Sequence, residues 1–206
     1  MSDPGPRILV TGFEPFAGAD DNPSARLVER LSAGSSTMAS VRTAVLPVSA
    51  QRMPPALADL LASMRPDVVL GLGEARGSAA VRVERVAVNL LDFRVADNDG
   101  LEPHDLPVIP GGPPAYFTTL PATGLVSAIR AAAVPCETSL SAGSYLCNQM
   151  LYLALHWAAC SARRPRVGFL HVPSLPTQNT SAGLPTMGLD TLVRAVDAAL
   201  LHIAGL

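Results

Sequence analysis

The chain has 206 residues, a hydrophobic share of 49%, a charged share of 16% and a formal net charge of -2. All 15 basic residues are arginines, and because they are scattered along the chain we expect no nucleic-acid partner. The apolar runs are too short to cross a bilayer, so we expect no membrane partner either.

Strands and helices are predicted to alternate along most of the chain. Apolar runs that end at glycine or a turn residue predict strands, and apolar residues at helical spacing predict helices. In chain order the predicted elements are strand Arg7–Thr11, helix Ser24–Leu31, strand Val41–Val48, helix Pro54–Met64, strand Asp67–Leu72, strand Val81–Leu91, helix Ala122–Ala133, strand Glu137–Ser141, helix Ser144–Cys160, strand Arg166–Val172 and helix Leu189–Ile203. This order predicts one α/β domain over residues 1–206, with a mainly parallel central sheet and helices on both faces.

Several candidate site segments follow predicted strands. They are Gly12 onward, Gly71–Arg76, Ser141–Cys147 and His171–Pro173. Sites in α/β folds gather at the carboxyl ends of strands, so we expect these segments to converge on one edge of the sheet. The connection Asp92–Pro121 is unusually long for a compact domain, and such loops are usually functional or contain short strands.

The cysteine pattern points to free thiols. Three cysteines without paired spacing argue against a disulfide framework and against a zinc site. Free thiols favour a reducing compartment, and the N-terminus lacks the regions of a signal peptide, so we expect a cytoplasmic protein. The dinucleotide and phosphate-loop motifs are also missing from the sequence, so we expect no metal and no cofactor.

Cys147 is the candidate nucleophile. It lies in SAGSYLCNQ, where small turn-forming residues precede an apolar helix, so it falls in the first turn of that helix. Unpaired N–H groups and the positive end of the helix dipole favour a thiolate there. The alternative for any one cysteine is a buried structural role. We assign that role to Cys136 and Cys160, which follow no such turn.

His171 is the candidate general base, because it closes the apolar strand RVGFLHV just before a proline. The alternative is a core histidine with satisfied hydrogen bonds. His104 and His202 are predicted to be surface residues. His156 lies nine residues after Cys147 on the same helix, which is too far for a thiol–imidazole contact.

Glu84 is the candidate acidic residue. Counting by twos along VRVERVAVN places it on one strand face with Val86 and Val88. A carboxylate on an apolar face needs a partner, and a histidine that acts as a base needs an orienting carboxylate. Pairing with Arg82 or Arg85 at a solvated edge is the alternative.

Five segments become recognisable when they are taken together and in order. They are Thr11–Ser24 (TGFEPFAGADDNPS), Val83–Gly100 (VERVAVNLLDFRVADNDG), Pro114–Pro121 (PAYFTTLP), Ser141–Asn148 (SAGSYLCN) and Gly168–Pro173 (GFLHVP). The chain resembles the pyroglutamyl peptidase I family of cysteine peptidases, also called pyrrolidone-carboxylate peptidases. The similarity of order and spacing extends over nearly the whole chain.

The resemblance implies hydrolysis of an N-terminal pyroglutamyl residue through an acyl-enzyme, without a metal. Carried over position by position, Cys147 is the nucleophile, His171 the base and Glu84 the orienting acid. The residues implied for substrate binding are Phe13 and Phe16 in the ring pocket, Asn22 near it, and Arg94 close to the active site. The resemblance also implies pyroglutamyl-peptide substrates and a homo-oligomer, commonly a tetramer.

Two positions depart from the family pattern. Ala17 stands where the family usually has glycine, and Glu74 stands where related sequences tend to carry a small residue or glutamine. These departures leave open a cysteine amidase that acts on another N-blocked or cyclic amide. A catalytically silent binding protein of the same fold is a further alternative, although its signature, the loss of a triad member, is not seen in the sequence.

Overall fold

A six-stranded sheet forms the centre of the computed structural model, which describes residues 5–35, 41–178 and 183–205. The strands are β1 (Ile8–Phe13), β2 (Val41–Leu46), β3 (Val68–Glu74), β4 (Val81–Glu84), β5 (Val86–Val88), β6 (Ala115–Phe117), β7 (Cys136–Ser139) and β8 (Arg166–Val172). The helices are α1 (Pro23–Arg30), α2 (Met53–Met64), α3 (Ala122–Ala131), α4 (Leu146–Cys160) and α5 (Leu189–Ala204). A π-helical turn (Leu31–Ser35) extends α1, and a 3-10 turn (Pro176–Gln178) follows β8.

The central sheet has the strand order β2-β1-β3-β8-β4-β7. Every neighbouring pair in it is parallel except β4 and β8, which are antiparallel. All residues of β1 are buried, as expected for a strand covered on both faces. The predicted fold class, an α/β domain with a mainly parallel sheet, is confirmed.

Two apolar layers cover the sheet. One layer joins it to α1, α3 and α5, and the other joins it to α2 and α4. Successive side chains of β1 alternate between them, with Ile8 and Val10 in the first layer and Leu9 in the second. Helices therefore pack on both faces, as the alternating sequence pattern predicts.

Close packing of α4 depends on a glycine in β3. A Cβ atom on Gly71 would lie 3.0 Å from the Sδ atom of Met150 and closer still to the ring of Phe169. Because position 71 has no side chain, the helix and the Phe169 ring settle directly onto the strand. The predicted apolar stripe of α4 is confirmed, since Met150 and Ala154 are buried in this layer and Leu153 and Trp157 pack against it.

The prediction of one continuous strand over Val81–Leu91 is wrong. The chain leaves the central sheet at Arg85, whose N–H donates to the Ser139 carbonyl while its own carbonyl accepts from the Thr118 N–H. The residues that follow form β5, which pairs with β6 in a separate two-stranded sheet. The expectation that the long connection Asp92–Pro121 contains short strands is confirmed by β6.

Helix α1 is capped by a residue that the sequence prediction overlooked. The helix was predicted to begin at Ser24, but its N-cap is Asn22, whose Oδ1 atom accepts from the Ser24 N–H at 2.9 Å and from the Ser24 hydroxyl at 2.7 Å. Pro23 occupies the first helical position, where its missing N–H costs nothing. The Ser24 hydroxyl in turn accepts from the Phe13 N–H at 2.9 Å, which ties the helix start to the end of β1.

Candidate active site

Cys147 lies in the first turn of α4, as predicted, and is partly accessible. The N-cap residue of this helix, Tyr145, makes no capping hydrogen bond with its side chain. The first N–H groups of the helix therefore remain available beside the thiol, at the positive end of the helix dipole. This arrangement favours negative charge on an oxygen atom that is bound next to the thiol.

The sulfur atom of Cys147 rests on a glycine. A Cβ atom on Gly73 would lie 2.6 Å from Sγ of Cys147 and 2.9 Å from Cζ of Phe169. Gly73 is also the residue of β3 that pairs in register with His171 of β8. The missing side chain at position 73 thus creates the space in which the thiol approaches the histidine.

We expect Gly73→Ala to lower kcat/KM for any amide that Cys147 attacks about a hundredfold, because a displacement near 1 Å of a reacting group has this effect. The added methyl group overpacks the Cys147 and Phe169 side chains, which costs about 1–3 kcal/mol of stability. The measurement is steady-state hydrolysis together with thermal unfolding. Gly188→Ala is the control, since a Cβ atom at Gly188 meets nothing within 4 Å; equal activity of the two variants would contradict the role of Gly73.

His171 is held by Glu84, so the predicted contact between these residues is present. Nδ1 of His171 donates to Oε1 of Glu84 at 2.8 Å. The carboxylate is buried, with a relative exposure of 1%. Because the carboxylate can only accept, Nδ1 of the imidazole carries a proton, and Nε2 is the ring nitrogen left to act on Cys147, which lines the same pocket as His171.

The direction of β4 explains why Glu84 is buried so deeply. Because β4 is antiparallel to β8, Arg82 stands opposite His171 and Val83 opposite Leu170. Glu84, the next residue of β4, therefore lies deeper in the sheet than His171, and its side chain reaches the imidazole from the buried side. Among the described residues its second oxygen, Oε2, has no hydrogen-bond partner, so the imidazole is its main stabilising contact. Arg82, the alternative partner considered from the sequence, instead pairs with Glu137 at 2.9 Å.

His171 is a stronger base than an ordinary histidine. Burial lowers its pKa, but attraction to Cys147, the hydrogen bond with Cys147 and the contacts with Glu84 together outweigh burial and raise the pKa to about 9. At neutral pH the imidazole is therefore protonated and positively charged. The buried carboxylate of Glu84 therefore faces a positively charged imidazole, which can later give its proton to a leaving group.

The raised pKa of His171 predicts a specific pH dependence of stability. Since the folded-state pKa of about 9 lies above the ordinary value of 6.5, the contribution of His171 is fully present below about pH 6.5 and is lost as the pH rises through about 9. We expect the thermal midpoint to fall over this range. His171→Gln should remove this component, and a wild-type curve with the same pH slope as the variant would contradict the assignment.

Asn148, the residue after the nucleophile, fastens the start of α4 to β5. It is fully buried, its Oδ1 atom accepts from the Val88 N–H at 2.8 Å, and its Nδ2 atom donates to the carbonyls of Val88 at 2.9 Å and Leu90 at 3.0 Å. Since β5 continues directly from the strand that carries Glu84, this side chain fixes the position of the nucleophile relative to the acid. The sequence analysis did not single it out.

Cys147 and His171 face a small pocket of about 140 Å³. Its walls come from the carboxyl ends of several strands and from the turn before α4, so the predicted convergence is confirmed. The lining residues are Phe13, Phe16, Asn22, Val48, Glu74, Ala142, Tyr145, Leu146, Cys147 and His171. Of the four residues predicted to bind substrate, Phe13, Phe16 and Asn22 lie here.

Arg94 lies outside this pocket. It is exposed and lines a neighbouring groove together with Asp92, Gly143 and Ser144. The groove and the pocket share one wall residue, Tyr145. The prediction that Arg94 lies close to the active site therefore holds only in the sense that the two cavities adjoin.

The sequence analysis missed several wall residues. Val48 lies two residues after the end of β2, and its position as the last residue of the predicted strand Val41–Val48 was the available signal. Ala142 carries no chemical signal at all. Tyr145 forms an aromatic wall, with its ring centroid 4.3 Å from that of Phe93 and 5.9 Å from that of Phe16.

The loop that carries the pocket phenylalanines is fixed by polar contacts at both ends. Asn22 Nδ2 donates to the Glu14 carbonyl at 3.1 Å, and Asn98 Nδ2 donates to the Pro15 carbonyl at 2.9 Å. A carboxylate oxygen of Glu14 accepts from the Val48 N–H at 3.0 Å. At the tip, Ala17 has a φ of 53° in the left-handed region, a conformation that glycine adopts more readily than alanine.

The other histidines and cysteines do not enter the pocket. His104 is exposed as predicted, but His202 is partly buried against Gly124, so its assignment to the surface is wrong. Nδ1 of His156 is hydrogen-bonded to the Tyr116 hydroxyl at 2.8 Å, and its Nε2 atom lies 3.8 Å from the exposed Sγ atom of Cys160. His156 and Cys160 are both in the second half of α4, away from Cys147 in its first turn. Cys136 is buried as predicted, and burial raises its pKa to about 11. Cys160 is exposed at the end of α4, so the buried structural role predicted for it is wrong.

The described part of the chain contains neither a metal-binding cluster nor a membrane-spanning helix. Within residues 5–35, 41–178 and 183–205, no group of three or more histidine, cysteine, aspartate or glutamate side chains is arranged to hold a metal ion. None of the helices in that part of the chain has the length and apolar character of a membrane span. An α/β fold with a cysteine at a helix start, a hydrogen-bonded histidine and a buried glutamate defines a hydrolase of the cysteine peptidase class.

The chain belongs to the pyroglutamyl peptidase family, whose model it matches over residues 6–205. It is 40% identical to the pyrrolidone-carboxylate peptidase of Vibrio campbellii, over 92% of this chain and 89% of that protein. It is 41% identical to pyrrolidone-carboxylate peptidase 1 of Ralstonia nicotianae, over 95% of this chain and 91% of that protein. The solved structure of Bacillus amyloliquefaciens pyroglutamyl peptidase I superposes with a TM-score of 0.93 at 31% identity, covering 98% of each chain. The activity of the present chain is therefore that of a cysteine peptidase that removes N-terminal pyroglutamyl residues.

Proposed function

We propose that Cys147, His171 and Glu84 form the catalytic triad of this peptidase. The observation that carries the assignment is the single pocket that Cys147 and His171 both line, together with the hydrogen bond of 2.8 Å that the imidazole donates to the buried carboxylate of Glu84. Glu84 acts by orienting the imidazole and by stabilising its positive charge.

The reaction follows from these three side chains. The thiolate of Cys147 attacks the carbonyl carbon of the pyroglutamyl residue, and a tetrahedral oxyanion forms. His171 transfers its proton to the nitrogen of the departing peptide, the C–N bond breaks and a thioester remains. His171, now neutral, removes a proton from a water molecule, and the resulting hydroxide attacks the carbonyl carbon of the thioester. The C–S bond then breaks and pyroglutamate leaves. The sulfur atom is again a thiolate and His171 is again protonated, as at the start of the reaction.

The start of α4 supplies the oxyanion site in this proposal. The oxygen of the tetrahedral intermediate accepts hydrogen bonds from backbone N–H groups near Cys147, which Tyr145 leaves uncapped. Donors fixed in a helix need no reorganisation when the charge develops, so their contribution is realised mainly in the transition state.

We propose that Phe13, Phe16 and Asn22 hold the pyroglutamyl ring, and that Arg94 contacts the peptide beyond it. Support comes from the pocket, which both phenylalanine side chains line beside the nucleophile, and from the groove that shares Tyr145 with it. The flat apolar walls fit a small neutral ring, and the small volume leaves no room for a longer side chain. The rest of the peptide then runs along the groove past Arg94.

We further propose that residues 1–206 form one catalytic domain, that the protein acts in the cytoplasm, and that it assembles into a homo-oligomer, by resemblance a tetramer. The cytoplasmic assignment is supported by the three unpaired cysteines, one of them exposed. Exposed apolar side chains such as Phe117 and Leu140, at 67% and 74% relative exposure, support association between copies.

The proposed function is tested with a panel of fluorogenic amides under reducing conditions. We expect rapid release from the pyroglutamyl amide and at least about a hundredfold slower release from the N-acetylalanyl amide, because the acetyl group and side chain cannot adopt the closed ring. Comparable rates on both compounds would contradict ring selection and would instead support a general amidase for N-blocked substrates.

A further inference from the structure

The pocket contains a second carboxylate that the proposed mechanism does not use. Glu74 is the last residue of β3 and follows Gly73, on which the sulfur atom of Cys147 rests. Glu74 lines the same small pocket as Cys147 and His171, together with the two phenylalanines. A charged group in such a position acts directly on any molecule bound there.

Only neutral groups hold the carboxylate of Glu74. The hydroxyl of Ser174 donates to Oε1 at 2.5 Å, and Nε2 of Gln178 lies 3.2 Å from both carboxylate oxygens. No arginine or histidine of the described residues forms an ion pair with it. Since a carboxylate offers about four lone-pair positions, it can still accept from a bound ligand.

The charge balance of the site makes this negative charge uncompensated. The positive charge of protonated His171 is already paired with the buried carboxylate of Glu84, to which its Nδ1 atom donates at 2.8 Å. Glu74 therefore adds a negative charge to a pocket that has no positive charge left to balance it. Such a pocket favours a ligand that brings its own positive charge, because pairing offsets the loss of hydration of both groups.

Proline has the ring that fits this description. An N-terminal proline shares the five-membered ring of pyroglutamate and the same position of the scissile carbonyl, but its ring nitrogen is a protonated amine at neutral pH. In a purely apolar pocket this ammonium would be excluded, because burying an unpaired charge is costly. Glu74 removes that penalty by offering a counter-ion at the pocket wall.

We propose that Glu74 gives this enzyme a second substrate class, peptides and amides with an N-terminal proline, by pairing with the ring ammonium. The inference rests on the proposed function, since the same Cys147 would attack the prolyl carbonyl and His171 would protonate the leaving amine. The bonds that form and break are those of the pyroglutamyl reaction, and water again releases the acid. The two substrates differ only in how the ring is recognised.

The test compares prolyl and pyroglutamyl fluorogenic amides with the same leaving group. We expect the wild type to hydrolyse both, and Glu74→Gln to lower kcat/KM for the prolyl amide at least tenfold more than for the pyroglutamyl amide. Glu29→Gln is the matched control, because it removes the same charge at an exposed position of α1. Ser174→Ala keeps the carboxylate while removing one of its neutral donors, and the ratio of the two activities should stay close to that of the wild type.

Each contrary outcome has a definite meaning. A wild type that cleaves the pyroglutamyl amide but not the prolyl amide overturns this inference and leaves the proposed function intact, whereas failure on both substrates overturns the proposed function. An equal loss of both activities in a folded Glu74→Gln variant would show that Glu74 only supports the pocket wall. Prolyl hydrolysis that persists in Cys147→Ser would place the reaction elsewhere and would also overturn the proposal.

Discussion

Cys147→Ser should reduce hydrolysis of a pyroglutamyl amide by about a thousandfold or more. A serine hydroxyl is a far weaker nucleophile than a thiolate, and loss of the nucleophile in a triad removes nearly all of its catalysis. The protein should remain folded, because the side chain is only partly buried and serine fits the same space above Gly73. The measurement is kcat/KM under reducing conditions together with the thermal midpoint.

Cys160→Ser is the matched control for this experiment. It makes the same sulfur-to-oxygen change at the exposed opposite end of α4, beside His156 rather than His171. We expect its activity to equal that of the wild type. If Cys160→Ser lost activity and Cys147→Ser kept it, the nucleophile would be misassigned and the pocket would not be the site of the reaction.

Glu84→Gln should lower kcat by about 10² to 10⁴-fold, with a smaller effect on KM. The amide is nearly isosteric, so the imidazole keeps a neighbour, but the negative charge that supports its protonated form is gone. The pKa of His171 should then fall from about 9, and the alkaline limb of the pH–activity profile should move to lower pH. The pH profile distinguishes this effect from a simple loss of folded protein.

Glu137→Gln serves as the control for the acid. Glu137 is on β7, the strand next to β4, and its exposed side chain pairs with Arg82. A surface ion pair of this kind contributes little, so we expect no change in kcat and no shift of the pH profile. An unshifted profile in Glu84→Gln would contradict the assignment of Glu84 as the residue that stabilises the charged imidazole.

Much of the fold was predictable because the signals were local. The apolar runs of β1, β3 and β8 and the helical stripe of α4 report directly on burial, and the alternation of elements determined the fold class. The break at Arg85 was not predictable in this way, since valines recur on both sides of it, at Val81 and Val83 and again at Val86 and Val88. The decisive contacts come from Ser139 and Thr118, which are far away in sequence.

The residues of the candidate site were likewise predictable where their signals were local. Cys147 and His171 carried local signals, a turn before a helix and the end of a buried strand. The pairing of Glu84 with His171 depends on the antiparallel register of β4 and β8, which the sequence pattern does not reveal. Arg94 was associated with the site by resemblance, but the structure places it across Tyr145 in the adjoining groove. Contacts made across the sheet were therefore the part that reasoning from the residues alone left open.

Because hydrogen bonds hold both ends of the Phe13–Asn22 loop, the loop loses its conformational freedom during folding and not when substrate binds. Ordering a residue costs roughly 1–2 kcal/mol of backbone entropy, and in a mobile loop this cost would recur at every binding event. Here the hydrogen bonds of Asn22 and Asn98 order the loop as the chain folds, before any substrate arrives. Binding of the ring then requires little further ordering of the walls, so affinity depends mainly on how well the ring matches a shape already present.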